Sequence, residues 1–307
     1  MNVRAAGINF AEIQMRMGMY PEAPKLPFVP GFELAGTVSE VGAEATGFSV
    51  GDAVLGACRF GGYASEVVIP AAQVRRIPGR LSFPEAAAIP VNFLTAWIGL
   101  MEMARIRPSD RVLVVGASGG VGTAMVQVAH RAGATVVGLV GSQQKKQLAL
   151  ELGASEVWTY EEWRRRSAES DPPLDVVMDS QGGSGLRESM ARLRPTGRAV
   201  SFGASSLVSG PRRSLPRVLF QLLQTPVLTP IGLAMSNRGI HGLNMLKLFD
   251  RGGMPLLLGA MDSVLEGFAQ GRYRVIVGGT FPLREAARAH AFLQSRGSTG
   301  KVLLEPD

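Results

Sequence analysis

Residues 112–146 read VLVVGASGGVGTAMVQVAHRAGATVVGLVGSQQKK. An apolar run is followed by a cluster of glycines, a stretch with helical spacing and a second apolar run, which is the order of a dinucleotide-binding βαβ unit. Glycines let the backbone approach a pyrophosphate closely, and the helix N-terminus supplies N–H groups and the positive end of its dipole. The stretch therefore predicts a cofactor site that includes Ser118, Gly119, Gly120 and Val121.

The end of the second predicted strand indicates which dinucleotide is bound. An NAD site usually has Asp or Glu there to accept from the ribose hydroxyls. This chain has Val140, Gly141 and Ser142, followed shortly by Lys145 and Lys146. A hydroxyl and an ammonium attract a 2′-phosphate that a carboxylate would repel, so we predict NADPH rather than NADH, with Ser142 and Lys145 at the phosphate.

The rest of the chain predicts an α/β protein with two domains, since 307 residues exceed what one core usually holds. The first ninety residues have short alternating runs bounded by turn residues, which indicates a β-rich domain. From residue 111 onward, apolar runs alternate with helical stretches, which is typical of a doubly wound parallel sheet. The predicted strands are 112–116, 135–139, 174–179, 198–202 and 240–245. Residues 210–232 fit neither pattern and predict an inserted helix with a mobile loop.

Composition excludes several classes of protein. Arginines spread along the chain, with a net charge of +7, favour a solvated surface over nucleic-acid binding. The single cysteine, Cys58, excludes an internal disulfide and a four-cysteine zinc site. We find no transmembrane segment or signal peptide in the sequence, and we expect a cytoplasmic protein.

A second interpretation of the glycine stretch is a serine hydrolase. Residues 116–120 also match the G-x-S-x-G nucleophile elbow, with Ser118 as nucleophile and Asp179 followed by His241 or His290 in the required order. A hydrolase has no need of Gly122 or of the serine and lysine after the next strand, so this alternative is the weaker one.

Several motifs together resemble the zinc-independent quinone oxidoreductases of the medium-chain dehydrogenase/reductase superfamily, and the resemblance covers essentially the whole chain. The motifs are RAAGINFAE (4–12), GMYP (18–21), PGFELAGTVSEVG (30–42), GDAV (51–54), GGYASE (61–66), GASGGVG (116–122) and STGKVLL (298–304). VMDSQGG (177–183), FGASSLVSGPRRSL (202–215) and GIHGLNM (239–245) are most similar to the branch named for the vesicle amine transport protein.

This resemblance implies a GroES-like catalytic domain formed by residues 1–93 and 244–307, with a Rossmann domain at 94–243 between them. Zinc-dependent relatives have Gly-His-Glu where this chain has Gly31, Phe32 and Glu33, and Phe32 cannot ligate a metal, so no metal is expected. Family chains have some thirty residues of β-structure before the RAAGIN motif, which here begins at Arg4, so N-terminal strands are expected to be missing. A homodimer formed through Rossmann edge strands is also implied.

The resemblance assigns roles to individual residues. Asn9, Glu12 and Tyr20 are expected near the nicotinamide, although relatives often have Asp at the position of Glu12. The remaining expected cofactor contacts are Thr95 beside the cofactor, Lys145 and Tyr160 at the 2′-phosphate, and Phe202, Gly203 and Gly242 at the nicotinamide half.

The predicted function is hydride transfer from NADPH to a small hydrophobic acceptor, a quinone or an α,β-unsaturated carbonyl. The oxyanion that forms needs a hydrogen-bond donor, for which the candidate catalytic residues are Asn9, Tyr20 and Tyr63. The alternative from another class is an NADPH-binding protein that binds a lipid or has a regulatory role with little turnover, favoured by the apolar segment 215–233.

Overall fold

The computed structural model describes residues 1–79, 81–167, 171–208, 210 and 214–306. The chain forms two compact units, Met1–Leu94 with Leu246–Asp307, and Thr95–Met245. The strands are β1 (Asn2–Ile8), β2 (Glu33–Thr37), β3 (Ala53–Ala57), β4 (Val74–Arg76), β5 (Arg111–Val115), β6 (Thr135–Val140), β7 (Glu156–Thr159), β8 (Leu174–Asp179), β9 (Leu193–Ser201), β10 (Gly239–Gly242), β11 (Val277–Pro282) and β12 (Lys301–Glu305).

The α-helices are α1 (Phe10–Arg16), α2 (Phe83–Ala87), α3 (Pro90–Trp97), α4 (Gly120–Arg131), α5 (Lys146–Glu151), α6 (Tyr160–Arg165), α7 (Gly183–Ala191), α8 (Leu215–Gln224), α9 (Pro230–Ser236), α10 (Met245–Asp250), α11 (Met254–Ala269) and α12 (Ala286–Gln294). A π-helical segment, Ile98–Met103, follows α3, and a 3₁₀ turn, Gln143–Lys145, precedes α5.

The first unit is built on a six-stranded sheet in the order β11-β12-β1-β2-β3-β4. Its first and last segments meet because β1 pairs antiparallel with β12, with Ile8 opposite Val302. Leu34 and Leu55 on β2 and β3 are fully buried in this unit. The sheet therefore places residues from the two ends of the chain in one core, and the site in this unit depends on that pairing.

The second unit is a parallel six-stranded sheet in the order β10-β9-β8-β5-β6-β7. All six residues of β8 are buried, as expected for a central strand with helices on both faces. The predicted fold class, a β-rich GroES-like domain with a doubly wound Rossmann domain, is confirmed by these two sheets.

Two strand assignments from the sequence differ from the structure. The strand expected at 240–245 ends at Gly242, and Met245 already begins α10. The strand β7 was missed because it lies at the sheet edge and alternates buried with half-buried residues, including the polar Glu156. In the segment 210–232 the structure has helix α8 and the start of α9, while residues 211–213 lie outside the described residues.

No helix in the described portion of the chain combines the length and apolar character needed to span a bilayer.

Candidate functional site

The glycine loop after β5 has the backbone geometry of a diphosphate cradle. Gly116 has a φ of +83°, a conformation that L side chains rarely adopt. A Cβ at Gly122 would lie 2.0 Å from the carbonyl oxygen of Gly116, so a side chain there cannot be accommodated next to the backbone of the loop. The amides of Gly116 and Ala117 both donate to the carbonyl of Leu139, at 3.0 and 2.8 Å, which fixes the loop against β6.

Helix α4 begins immediately after this loop, and its N-cap Gly119 provides no side-chain cap. The first N–H groups of a helix have no intrahelical acceptor, and here no side chain takes that place. Gly119, Gly120 and Val121 are half-buried, whereas Ser118 is buried. The Gly119 amide already donates to the carbonyl of Gly116 at 2.9 Å, so the candidate donors to a ligand are the amides of the first helical turn, which begins at Gly120. This helix N-terminus fits an anionic diphosphate.

The end of β6 and the end of β7 are neighbours because Val140 pairs with Thr159. Ser142 and the turn containing Lys145 follow β6, and Tyr160 follows β7 directly. The fold thus brings the three predicted 2′-phosphate residues to one edge of the sheet. Burial lowers the pKa of Lys145 from its ordinary value, as expected for a lysine withdrawn from water.

The two adjacent lysines, Lys145 and Lys146, have different surroundings. Lys146 forms a salt bridge with Glu162, with Nζ and Oε2 2.6 Å apart, and Gln143 donates to the same carboxylate at 2.8 Å. The pKa of Glu162 is lowered to about 2, first of all by its hydrogen bond with Lys146. A carboxylate is therefore present in this region, but it is neutralised by Lys146, which makes Lys145 the better candidate for a phosphate.

The predicted residues of the nicotinamide half follow other strands of the same sheet. Phe202 and Gly203 come directly after β9, and Gly242 ends β10, where it pairs with Ser201. A Cβ at Gly203 would lie 2.6 Å from the carbonyl oxygen of Ser180, so glycine is required for this close approach. Thr95 is buried in α3. Carboxyl ends of parallel strands share one edge, so these loops and the glycine loop lie on the same edge.

The structure does not assemble a catalytic triad in the second unit. Asp179 Oδ2 accepts from the amide of Gly182 at 2.7 Å, and burial raises the pKa of Asp179 to about 6. His241 lies on β10, which is separated from β5 by β8 and β9. Three strand spacings correspond to about 14 Å, too far for a hydrogen-bonded relay from the loop that carries Ser118.

The first unit contains a buried ion pair that the sequence analysis missed. Lys301 on β12 forms a salt bridge with Glu33 on β2, and their side chains are 2% and 0% exposed. Lys301 also donates to Asn9 Oδ1 at 2.6 Å and to Asn92 Oδ1 at 3.4 Å. A Cβ at Gly7 would lie 2.3 Å from Glu33 Oε1, so the buried carboxylate occupies the space that this glycine leaves.

Further hydrogen bonds fix this buried network. Asn9 Nδ2 donates to Glu33 Oε1 at 3.2 Å, and the amide of Val91 donates to Glu33 Oε2 at 2.7 Å. The sequence signals for the pair were a single lysine in the apolar STGKVLL run and a single glutamate in FELAG. Neither signal identifies a partner, because Glu33 and Lys301 meet only through the pairing of the chain ends.

A second buried series of hydrogen-bonded side chains contains the candidate residue Tyr63. The Tyr63 hydroxyl donates to Glu12 Oε2 at 2.6 Å and lies 3.1 Å from His290 Nε2. Burial raises the pKa of Glu12 to about 7 and lowers the pKa of His290 to about 4. The sequence analysis placed Glu12 near the site but did not connect it with His290, which lies on α12.

Tyr20 is not part of this series of hydrogen-bonded side chains. It is half-buried and packs in an apolar group with Met15 and Phe32. Burial raises its pKa to about 12. In the part of the chain that the structure describes, its hydroxyl has no hydrogen-bond partner.

Phe32 and Cys58 contribute no metal site. Phe32 is buried, and the Cys58 thiol donates to the carbonyl of Gly31 at 3.4 Å. Burial raises the pKa of Cys58 to about 12, which keeps it a thiol. Within the described ranges, no group of three or more His, Cys, Asp or Glu side chains is placed to hold a metal ion.

Comparison with known proteins agrees with this geometry. Residues 1–79 match the alcohol dehydrogenase GroES-like domain, and residues 120–229 match the zinc-binding dehydrogenase domain. The chain is 32% identical over 312 residues to the human synaptic vesicle membrane protein VAT-1 homolog, covering 100% of this chain and 78% of that protein. It is 33% identical over 308 residues to the Bos taurus quinone oxidoreductase-like protein 2, covering 99% of this chain and 83% of that protein.

A solved structure is also similar. The Escherichia coli quinone oxidoreductase complexed with NADPH matches with a TM-score of 0.83 and 30% identity, covering 99% of this chain and 90% of that chain. A GroES-like unit combined with a parallel nucleotide-binding unit defines the two-domain dehydrogenase/reductase class. The chain belongs to the medium-chain dehydrogenase/reductase superfamily, and within it to the quinone oxidoreductase group that includes the VAT-1 homologues.

Proposed function

We propose that this protein is an NADPH-dependent reductase that transfers hydride to a quinone or an α,β-unsaturated carbonyl without a zinc ion. The observation that carries the proposal is the uncapped N-terminus of α4 behind the fixed glycine loop, at the same sheet edge as Ser142, Lys145 and Tyr160. The similar Escherichia coli enzyme, whose structure contains NADPH, supports the choice of cofactor.

In this proposal the second unit binds the cofactor in two places. The first-turn amides of α4 donate hydrogen bonds to the diphosphate, and Lys145, Ser142 and Tyr160 donate to the 2′-phosphate. Tyr160 already has its hydroxyl oriented, since it accepts from Gln181 Nε2 at 2.6 Å. Thr95, Phe202, Gly203 and Gly242 border the nicotinamide. NADPH, when bound, supplies the hydride, and the protein supplies orientation and protection from water.

The three candidate catalytic residues differ in whether they still have a hydrogen available for a hydrogen bond to the substrate. The side-chain amide of Asn9 accepts a hydrogen bond from Lys301 and donates one to Glu33, so its orientation is fixed. One of its two amide hydrogens remains for another acceptor. Tyr20 retains its hydroxyl proton for an oxyanion, and its raised pKa keeps that proton in place at neutral pH. The Tyr63 hydroxyl already donates a hydrogen bond to Glu12, so we assign Tyr63 the role of orienting the Glu12 side chain.

The test is a substrate panel. NADPH consumption is followed with naphthoquinone, a straight-chain 2-alkenal and a crotonyl thioester, with NADH measured in parallel. We expect turnover of at least one acceptor class and a preference for NADPH. A protein that binds NADPH tightly but reduces none of these acceptors would refute the reductase assignment.

That negative outcome would support a second candidate, an NADPH-binding protein that binds a lipid or another hydrophobic partner. The observation in its favour is a surface of apolar side chains on and after α8. Their exposed members are Leu215, Leu219, Phe220, Leu222, Leu223, Val227, Leu228, Ile231 and Met235. Exposed large apolar side chains concentrated in one segment are a feature of interaction sites. Co-sedimentation with lipid vesicles, with and without NADPH, tests it.

We also propose a homodimer formed through the second unit. Strand β10 is at the end of the parallel sheet, and an exposed edge strand is a template for pairing with another chain. Light scattering after size-exclusion chromatography gives the mass directly, and a mass of one chain at all concentrations would contradict this arrangement.

A further inference from the structure

A hydrogen bond joins two loops of the second unit whose strands are not neighbours in the sheet. Gln181 Nε2 donates to the hydroxyl oxygen of Tyr160 at 2.6 Å, and both side chains are half-buried. Tyr160 comes directly after β7 and Gln181 follows β8, whereas β5 and β6 lie between these two strands in the sheet order. The two side chains therefore bridge about 14 Å of sheet edge, which is three strand spacings.

This bridge crosses the sheet edge on which the adenosine half of NADPH is proposed to bind. A Cβ at Gly116 would lie 3.8 Å from the Tyr160 hydroxyl oxygen and 3.3 Å from Ser180 Oγ, so the hydroxyl lies beside the first glycine of the loop. Tyr160 starts after β7 and reaches the loop after β5, so its side chain spans the end of β6, the strand that leads to Ser142 and Lys145. Tyr160 therefore connects the two proposed phosphate-binding regions of this unit.

The direction of the hydrogen bond decides what the Tyr160 hydroxyl can do for a phosphate. A tyrosine hydroxyl has one proton and can also accept, whereas a side-chain amide nitrogen only donates. Because Gln181 supplies the proton of the bond they share, the Tyr160 oxygen accepts there and its own proton is directed away from Gln181. A phosphate oxygen needs a donor, and hydrogen bonds to an ionised acceptor are the stronger ones. Gln181 therefore holds the Tyr160 hydroxyl in the orientation of a donor.

The backbone that carries Gln181 is itself fixed by hydrogen bonds. The Ser180 hydroxyl donates to the carbonyl of Val115 at 3.0 Å, which ties the turn after β8 to the end of β5. The Gln181 carbonyl accepts from the amide of Ser206 at 3.2 Å and from its hydroxyl at 2.7 Å. A side chain on an anchored backbone holds its partner more precisely than one on a mobile loop. The position of the Gln181 side chain is therefore set within the second unit.

We propose that Gln181 is a positioning residue for cofactor selectivity, which favours NADPH over NADH by holding the Tyr160 hydroxyl as a hydrogen-bond donor to the 2′-phosphate. This inference rests on the proposed NADPH-dependent function and names a residue on which the selectivity of that function depends. Gln181 acts through Tyr160 rather than by touching the phosphate itself. Both residues and the glycine loop belong to the second unit, so the effect can be measured on the adenosine half of the cofactor.

The test compares the binding of 2′,5′-ADP and 5′-AMP to the full-length protein by isothermal titration calorimetry, since these two probes differ only in the 2′-phosphate. Gln181→Met preserves the length of the side chain but removes the donor, and it should lower the preference for 2′,5′-ADP about tenfold with little change in 5′-AMP affinity. Gln181→Glu should lower this preference further, because a carboxylate only accepts and draws the Tyr160 proton to itself.

A double-mutant cycle with Tyr160→Phe separates positioning from a direct contact. Once the Tyr160 hydroxyl is removed, Gln181→Met should cause no further loss of preference. A tenfold loss in both backgrounds would show that Gln181 acts independently of Tyr160, which overturns the inference. The matched control is Gln147→Met on the exposed side of α5, where the Gln147 amide donates to Glu151 Oε1 at 3.2 Å. This control should keep the wild-type preference.

These measurements need no turnover, so they distinguish the inference from the proposed function. A wild-type preference for 2′,5′-ADP that is unchanged in Gln181→Met overturns the role of Gln181 and leaves the assignment of NADPH standing. Equal binding of the two probes by wild type overturns both, because the 2′-phosphate is then not recognised. Loss of the preference in Gln181→Met supports the inference even if none of the acceptors in the substrate panel is reduced.

Discussion

Replacing Glu12 by Gln should change how the stability of the protein depends on pH. The pKa of Glu12 is raised from 4.5 in a free side chain to about 7 in the folded protein. A raised pKa means that the folded state binds the proton more tightly than the unfolded state. This contribution to stability is fully present below the unfolded value of 4.5 and is lost as pH rises through about 7.

The size of the effect follows from the shift. A difference between about 7 and 4.5 is about 2.5 pH units, and at 1.36 kcal/mol per unit it corresponds to about 3 kcal/mol. The free energy of unfolding of wild type, relative to Glu12→Gln, should therefore fall by about 3 kcal/mol between pH 4 and pH 8. Glutamine preserves the side-chain shape and has no proton to lose.

The assay is urea-induced unfolding followed by circular dichroism at a series of pH values for both proteins. His290 titrates in the same range with the opposite sign, because its pKa is lowered to about 4 by burial and by Arg16. Glu12 is not a cause of that shift, so the difference between the two proteins isolates Glu12. Parallel curves over the whole pH range would refute the claim that Glu12 is buried with its proton.

Three further sets of variants test the remaining parts of the site. Lys145→Ala should raise the KM for NADPH far more than the KM for NADH. The control is Lys146→Ala, which removes a lysine that forms a salt bridge with Glu162 and should change the ratio of the two KM values little. Equal effects of Lys145→Ala on both cofactors would contradict the assignment of Lys145 to the 2′-phosphate. Lys301→Met should destabilise the first unit by about 3–5 kcal/mol, because it removes the cation that forms a salt bridge with the buried Glu33. Adding Glu33→Gln should recover part of this loss in urea unfolding. Gly122→Ala should lower both Tm and NADPH affinity, since its Cβ would lie 2.0 Å from a backbone carbonyl oxygen, and a variant with wild-type values would exclude the tight loop geometry.

Much of the second unit could be predicted from the sequence because its signals are local. The glycine loop, the following helix and the strand that ends at Val140 are contiguous, so their spacing alone predicted a βαβ unit. The absence of a carboxylate directly after that strand was equally visible. The edge strand β7 was not, because Glu156 interrupts its apolar pattern and pairing with β6 determines the strand.

The contacts of the first unit were much less predictable. Asn9, Tyr20 and Tyr63 were singled out by motif, but their hydrogen-bond partners were not. Glu33 and Lys301 are far apart along the chain, and each alone is a polar residue in an apolar run.

The sequence by itself determined the βαβ unit and excluded a four-cysteine zinc site, and it predicted a phosphate-binding lysine, because backbone conformation and residue chemistry act over a few neighbouring positions. Only the tertiary structure decided which of the two buried carboxyl groups is neutralised by Lys301 and which is left to hold a proton. The difference between Glu12 and Glu33 depends on the pairing of β1 with β2 and β12, which buries both side chains. The three ammonium hydrogens of Lys301 are then directed to Glu33, Asn9 and Asn92.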